Sequence, residues 1–179
     1  MLAKILIALA VIILVLVVVI SLRPADFRYT RSTSIAAPAS AVFENVNDLH
    51  KWEAWSPWAK IDPAMKMTYD GPPSGVGASY SWSGNNEVGE GKSTIVESRA
   101  PESIRFKLEF VRPFAGTNDV EFTFKPEGAQ TVVTWSMWGK CNFMSKAVGL
   151  FMDCEKMCGG QFEQGLASLK SLTEGPPKS

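Results

Sequence analysis

The amino-terminal segment of the chain is one uninterrupted apolar run. From Leu2 to Leu22, Lys4 is the only charged residue. At about 1.5 Å per residue, a helix of this length is roughly 30 Å long, the thickness of the hydrocarbon layer of a bilayer. A cleaved signal peptide is the alternative, but its apolar region is usually about 7–15 residues long and ends in a small-x-small site. The pattern therefore favours an uncleaved transmembrane anchor over residues 1–23, which contacts the membrane through Leu2 to Leu22.

The side of the membrane that holds the rest of the chain is less clear from the charges. Arg23, Arg28 and Arg31 follow the apolar run, and Lys4 precedes it. Counting positive charges places the following domain in the cytoplasm by a small margin. A short amino tail with one basic residue also begins many exported domains, so both orientations stay open.

After the apolar run, hydrophobic and polar residues alternate in a series of segments. In residues 103–111, Ile104, Phe106, Leu108 and Phe110 alternate with polar residues, as expected of a strand with one buried face. The same kind of pattern predicts strands over 27–37, 76–84, 87–98, 119–125 and 130–139. Because alternation in consecutive strands gives each one a covered face and a wet face, these segments predict an antiparallel sheet.

Helical spacing occurs on both sides of these strands. Pro38 opens a helix that continues to Leu49. Trp52 and Trp55 fit one turn of a second, short helix, and Pro57 then disfavours helical geometry at Ser56. A long helix is predicted over residues 142–174, with one apolar face and with an interruption at Gly159 and Gly160, where the helix bends or another backbone approaches closely. That face contains Ala147, Leu150, Cys154, Cys158, Phe162, Leu166 and Leu169.

Composition and charge narrow the possible functions. The 179 residues include 18 Lys and Arg against 18 Asp and Glu, with no basic cluster, which argues against nucleic acid as a partner. Three cysteines without a CxxC motif argue against a disulfide framework or a zinc site, and they are interpreted as small packing residues. His50 lies in a polar helix end and is interpreted as a surface residue. No metal and no cofactor are predicted.

Several longer segments resemble a known family. The runs PASAVFENVNDLHKWEAWSPW and DPAMKMTYDGPPSGVGASYSWSGNNEVGEGKSTIVES, the RPFAGTNDVEFTF pair, the VTWSMWG strand and the closing GLASLK helix are similar to the polyketide cyclase/dehydrase-like group of the START-related SRPBCC superfamily. The resemblance covers residues 27–174. It implies an α+β helix-grip fold, in which a seven-stranded antiparallel sheet curls around a long C-terminal helix and leaves a deep cavity. Members bind lipids, sterols or polyketides there, and a minority catalyse cyclisation or dehydration.

We therefore expect residues 24–174 to form one such domain, followed by a disordered tail at 175–179. The predicted function is a membrane-anchored binding or carrier domain for a hydrophobic, lipid-like or polyketide-like molecule. The alternatives are a cyclase- or dehydrase-type enzyme that acts on an apolar substrate in the same cavity, or an interaction module whose interior is filled.

Candidate site residues follow from these hypotheses. In the implied fold the tryptophans of residues 51–58 lie near one mouth of the cavity, where they either form its rim or plug the sheet as core residues. Glu90, in a glycine-rich strand, is the candidate catalytic acid, because an inward carboxylate in an apolar cavity has a raised pKa. The candidate ligand-binding residues are Trp52, Trp55, Trp58, Tyr80, Trp82, Phe106, Phe110, Phe122, Phe124 and Trp135.

Overall fold

The described part of the computed structural model is residues 1–175. The predicted disordered tail therefore lies, apart from Gly175, outside the described residues. The helices are α1 Leu2–Leu22, α2 Ala39–Asn47, a 3-10 turn Leu49–Lys51, α3 Trp52–Trp55, α4 Trp58–Ile61, α5 Phe143–Val148 and α6 Cys154–Glu174. The strands are β1 Asp26–Ile35, β2 Lys66–Asp70, β3 Ser79–Ser83, β4 Glu90–Arg99, β5 Ser103–Arg112, β6 Gly116–Glu127 and β7 Gln130–Lys140.

The seven strands form one curved antiparallel sheet in the order β1-β7-β6-β5-β4-β3-β2. Strands β2 to β7 follow one another as a meander, and β1 closes the order by pairing with β7. Two register shifts in β4, at Glu90/Gly91 and at Ile95/Glu97, are of the kind that bends a strand and increases its twist. This architecture confirms the predicted α+β helix-grip fold.

Strand β2 is the element that the alternation did not predict. It has five residues, and both of its ends, Lys66 and Asp70, are exposed. It pairs with β3 from Lys66–Ser83 to Asp70–Ser79. A short edge strand with charged ends carries little hydrophobic periodicity, so its position is set by pairing with its neighbour.

The C-terminal helix differs from the single helix that was predicted over 142–174. The chain forms α5 and α6, separated by residues 149–153. Asn142 caps α5 by accepting a hydrogen bond from the Ser145 amide at 2.8 Å, and Asp153 caps α6 by accepting one from the Lys156 amide at 2.9 Å. Two separate N-caps explain why the segment divides.

Helix α6 runs without interruption through Gly159 and Gly160. A Cβ at Gly159 would clash with the Arg31 guanidinium, so the close neighbour is a side chain of β1 and not another backbone. Phe162, Leu166 and Leu169 are buried against the concave face of the sheet.

Helix α1 is the one helix of residues 1–175 that is long and apolar enough to cross a membrane, with a mean hydropathy of 3.6. Its side chains are exposed except for Ile20 in the last turn. The last turn meets α5, and the following residue, Arg23, donates a hydrogen bond from Nη1 to the Gly149 carbonyl at 2.6 Å.

Two glycines of α6 allow a matched test of how tightly the helix packs on the sheet. A Cβ at Gly165 would lie 2.8 Å from the Trp135 ring, whereas nothing lies within 4 Å of a Cβ at Gly160. We expect Gly160→Ala to raise the free energy of unfolding by up to about 1 kcal/mol, the helix propensity difference. Gly165→Ala gains the same propensity, but overpacking in a filled core costs about 1–3 kcal/mol.

The measurement is denaturant unfolding of both full-length variants in detergent micelles, followed by the circular dichroism of the sheet and helices. The expected result is a higher midpoint for Gly160→Ala and a lower midpoint for Gly165→Ala. A stabilised Gly165→Ala variant would contradict the close contact between α6 and Trp135.

Candidate functional site

The tryptophan-rich segment is folded beneath helix α2. Trp52 donates a hydrogen bond from Nε1 to the Val46 carbonyl at 2.8 Å, and Trp55 donates one to the Asn45 carbonyl at 3.2 Å. Both carbonyls belong to the last turn of α2, where carbonyl groups lack partners within the helix. The two indoles therefore satisfy the end of α2 and point their rings towards the concave face of the sheet.

The rings of Trp52, Trp55, Phe106, Phe122, Trp135 and Phe162 form a continuous group, which we call the aromatic layer. Trp52 meets Phe106 at a centroid distance of 5.3 Å, and Phe122 meets Trp135 at 4.7 Å. Trp135 stacks on Phe162 of α6, with centroids 4.3 Å apart and ring planes 9° from parallel. The first two distances lie within the range of favourable aromatic pairs and the third lies just below it, so the layer joins the sheet directly to α6.

The aromatic layer fills the space in which a deep cavity was expected. Trp55 and Phe122 are 0% exposed and Trp135 is 2% exposed, so almost no water-sized space touches their side chains. The physical reason is the bulk of the two tryptophans of α3, which occupy the volume between the sheet and α6. Trp52 and Trp55 thus lie in the core of the domain and not on an open rim.

The other predicted lining residues divide into buried and half-buried positions. Trp82 and Phe124 are buried, whereas Trp58, Tyr80 and Phe110 are half-buried at the margin of the layer. Trp58 presents an edge to Trp135 at 5.7 Å. Burial raises the pKa of the Tyr80 hydroxyl far above its usual value, so this group stays protonated at physiological pH.

Trp135 carries a polar group without a partner inside the layer. Its Nε1–H is buried and makes no hydrogen bond. By contrast, the indole N–H groups of Trp52, Trp55 and Trp82 all donate to backbone carbonyls. An unpaired buried donor costs free energy, and it is a group to which an oxygen atom of a bound molecule could attach.

The candidate acid Glu90 is oriented away from this interior. Its side chain is 40% exposed and accepts a hydrogen bond from Arg112 Nε at 2.9 Å. The buried positions of β4 are Gly91, Ser93 and Ile95, and the neighbouring Glu90 lies on the other face. The candidate was based on an inward carboxylate, whereas the Glu90 carboxylate pairs with Arg112 outside the aromatic layer.

His50 lies on the surface, as predicted. Its side chain is 53% exposed and its Nδ1 lies 3.3 Å from Asp48 Oδ1. Its ring stacks on Tyr69 with centroids 4.2 Å apart. His50 and Tyr69 border an open concavity of about 260 Å³. Within residues 1–175, no group of three or more His, Cys, Asp or Glu side chains is arranged to hold a metal ion.

A second open concavity, of about 500 Å³, lies at the end of the sheet next to α1, and the sequence had not indicated it. Arg23, Tyr29, Cys141, Leu150, Phe151 and Cys154 are among its lining residues. Burial, with a smaller contribution from the three nearby thiols, raises the pKa of Tyr29 to about 12. Burial also raises the pKa of Cys158 to about 11, so the Tyr29 and Cys158 side chains are neutral at physiological pH. The concavity depends on the break between α5 and α6, which a single predicted helix cannot produce.

The comparison with protein families gives one match. Residues 26–174 match the family described as "Polyketide cyclase / dehydrase and lipid transport". No curated protein matches the chain.

Solved structures support the same architecture. A protein from Thermobifida fusca superposes with a TM-score of 0.63 at 22% identity, over 82% of this chain and 92% of that one. Aha1 from Colwellia psychrerythraea superposes with a TM-score of 0.61 at 14% identity, over 85% of this chain and 99% of that one. A protein from Chromobacterium violaceum superposes with a TM-score of 0.59 at 16% identity, over 86% of this chain and 100% of that one. At these identities the likeness concerns the fold alone.

The unpaired N–H of Trp135 leads to a stability prediction. Trp52→Phe removes an indole and leaves the Val46 carbonyl without this donor, whereas Trp135→Phe removes an indole whose N–H has no partner. Leaving a buried group unpaired costs about 1–3 kcal/mol, so we expect Trp135→Phe to lose at least about 1 kcal/mol less stability than Trp52→Phe.

Denaturant unfolding monitored by circular dichroism measures both losses without depending on tryptophan emission. The two variants lose nearly the same ring volume, so each serves as the control for the other. Equal losses would contradict the prediction, because they would indicate that the Trp135 N–H has a hydrogen-bond partner in solution.

Proposed function

Because the chain belongs to the polyketide cyclase/dehydrase and lipid transport family, we propose that it is a membrane-anchored binding or carrier domain for a hydrophobic small molecule. The ligand is lipid-like or polyketide-like and lies between the sheet and α6. The single observation that carries this proposal is the aromatic layer with one unpaired N–H at Trp135. Ligand pockets are usually apolar with a few polar groups that fix orientation.

The ligand-binding residues of the proposal are the aromatic side chains on the inner faces of the sheet and of α3. An oxygen atom of the ligand accepts a hydrogen bond from Trp135 Nε1, and the apolar body packs on Trp52, Phe106 and Phe122. Since these rings are in contact in the structure, binding requires the layer to open.

Trp58 is the residue whose movement would open the layer most easily. It lies on α4, a four-residue helix without a buried residue. Its ring is half-buried and presents edges to Trp135 at 5.7 Å and to Phe162 at 6.4 Å. Displacing this ring uncovers the stacked pair of Trp135 and Phe162 without disturbing Trp55, which is fully buried.

The anchor part of the proposal rests on α1. The helix has 21 residues, a mean hydropathy of 3.6 and exposed side chains along nearly its whole length, which is what a lipid-facing helix requires. Cyclase or dehydrase chemistry is the alternative that the family description allows. Its candidate acid, Glu90, pairs with Arg112 away from the layer, so no observation favours this alternative.

The anchor can be tested by mass. If α1 remains attached, the protein isolated from membranes has the full mass of 19.6 kDa and stays in the membrane fraction after an alkaline wash. Cleavage of α1 as a signal peptide would give a smaller mass and release the domain. A chain in which Leu2 to Leu22 are deleted is the control for release by the wash.

The ligand can be sought by solvent extraction of the full-length protein, followed by mass spectrometry. Lipids around α1 will also be extracted, so the matched control carries residues 1–25 in front of an unrelated soluble domain. We expect one hydrophobic compound to be recovered in roughly equimolar amount from the full chain and to be depleted in the control.

A variant of the proposed polar contact completes this test. Loss of one hydrogen bond of about 1.4 kcal/mol lowers affinity about tenfold, so Trp135→Phe should retain markedly less of the compound. Gly160→Ala, which alters α6 away from the layer, should retain it fully. Identical lipid profiles from the full chain and the anchor control would contradict the carrier function.

A further inference from the structure

The connection between α5 and α6 exposes a concentration of large apolar side chains. Phe143 and Met144 begin α5, and Phe151 and Met152 lie in the loop that follows it. They are 46%, 54%, 85% and 46% exposed, respectively. We call these four residues the apolar ledge. Exposed apolar groups gathered in one place on a protein surface mark a binding surface, so the ledge requires an occupant.

The position of the ledge relative to α1 indicates that occupant. Lys146 of α5 places its Nζ 3.5 Å from the carbonyl of Ser21, which lies in the last turn of α1. Arg23, the first residue after α1, donates to the carbonyl of Gly149 at 2.6 Å. Both contacts fix α5 and the following loop at the level where the apolar helix ends.

The register of the sheet confirms that this is one end of the domain. Strand β1 begins at Asp26, directly after α1, and pairs there with Lys140 at the end of β7. The turn between β5 and β6 lies at the same end, where the Asn142 side chain donates to the Ala115 carbonyl at 3.3 Å. Next to it, Phe114 is 41% exposed. The ledge therefore lies on a face of the domain that surrounds the exit of α1.

We propose that the apolar ledge inserts into the same membrane leaflet from which α1 emerges, and this inference rests on the proposed anchor function of α1. An α1 of 21 residues spans roughly 30 Å of hydrocarbon, so its last turn lies at the boundary with the headgroups. Interfacial segments enter this boundary by about 5–10 Å with Phe, Leu or Trp on the buried side and basic residues on the other. Phe143, Met144, Phe151 and Met152 supply the apolar side, and Lys146 and Arg23 supply the basic groups.

The acidic groups near the ledge are engaged elsewhere. Asp153 accepts a hydrogen bond from the Lys156 amide as the cap of α6, and Glu155 lies 3.7 Å from Arg31 Nη1. The proposed attraction is hydrophobic, through the four apolar side chains, and does not require anionic lipid. Phosphatidylcholine is therefore a sufficient partner.

Insertion of the ledge also sets the position of the 500 Å³ concavity. Phe151 and Met152 line that concavity together with Arg23 and Tyr29. When the ledge enters the leaflet, the mouth of the concavity lies among lipid headgroups. A hydrophobic molecule can then pass between the leaflet and the domain without crossing bulk water.

The test uses photo-cross-linking in the full-length protein reconstituted in phosphatidylcholine vesicles. Three chains each carry one substitution to benzoylphenylalanine: Phe151 in the ledge, Leu172 near the end of α6, and Leu9 in the middle of α1. Leu172 is the control for distance from the membrane, because it is an exposed apolar residue and lies about 27 Å along the axis of α6 from Cys154 at 1.5 Å per residue. Since position 151 is 85% exposed, the substitution leaves the packing of the domain unchanged.

The expected result is lipid adducts at positions 9 and 151, with the yield at 151 on the order of tenfold above that at 172, which lies beyond the interfacial depth. Adducts at 9 without adducts at 151 would overturn the ledge and leave the anchor intact. Absence of adducts at 9 would overturn the anchor and this inference with it. Equal yields at 151 and 172, or cross-linked protein dimers at 151 in place of lipid adducts, would overturn the ledge as a lipid contact.

Discussion

The domain depends on the way two tryptophans from a four-residue helix cover the concave face of its sheet. Trp52 and Trp55 direct their N–H groups to the carbonyls of Val46 and Asn45 and their rings to Phe122. One pair of side chains thus satisfies two of the carbonyls at the C-terminal end of α2 and fills the centre of the core. Removing either ring would leave both a cavity and an unpaired carbonyl, so these functions are coupled in the same residues.

The order of strands and helices could be predicted wherever burial is one-sided. In strands β5 and β6, buried apolar residues alternate with residues that are more exposed. This alternation predicts a strand with one covered face. β2 could not be found in this way, because its five residues have charged ends and it gains stability from pairing with β3. Its existence followed from the family resemblance and not from periodicity.

The predicted interruption of the C-terminal helix was placed at the wrong glycines. Gly159 and Gly160 suggested an interruption, yet the helix continues there and Gly159 leaves room for Arg31. The actual break follows Val148, where Gly149 is the C-cap of α5 and Asp153 then caps α6. Both are recognisable terminating and initiating residues, so this boundary could have been read from local signals.

The candidate site was predictable in composition but not in geometry. Five of the six aromatic residues of the layer were identified as candidates, because they occupy the inward positions of strands or the short helix α3. The sixth, Phe162, was identified only as part of the apolar face of the C-terminal helix. Whether these rings leave a cavity depends on how side chains from distant segments pack together, and the sequence pattern does not specify that packing. The orientation of Glu90 could be inferred from the alternation in β4, because Ile95, Ser93 and Gly91 form the buried face of that strand. The unpaired N–H of Trp135 depends on which carbonyls lie nearby, and no sequence pattern specifies that.

The two ends of α6 are held by different contacts. At its far end, Glu174 accepts a hydrogen bond from the Ala36 amide at 2.6 Å, and Lys170 donates to the Ser34 carbonyl at 2.6 Å. The Ala36 amide holds the pKa of Glu174 below its ordinary value, so this attachment is charged at neutral pH. In the middle, Arg31 binds Glu163 at 2.7 Å.

The first turn of α6 follows an exposed apolar loop and borders the open concavity. Local opening is least costly where few buried contacts and few hydrogen bonds must be broken. A separation of α6 from the sheet would therefore begin at its first turn, beside the end of α1.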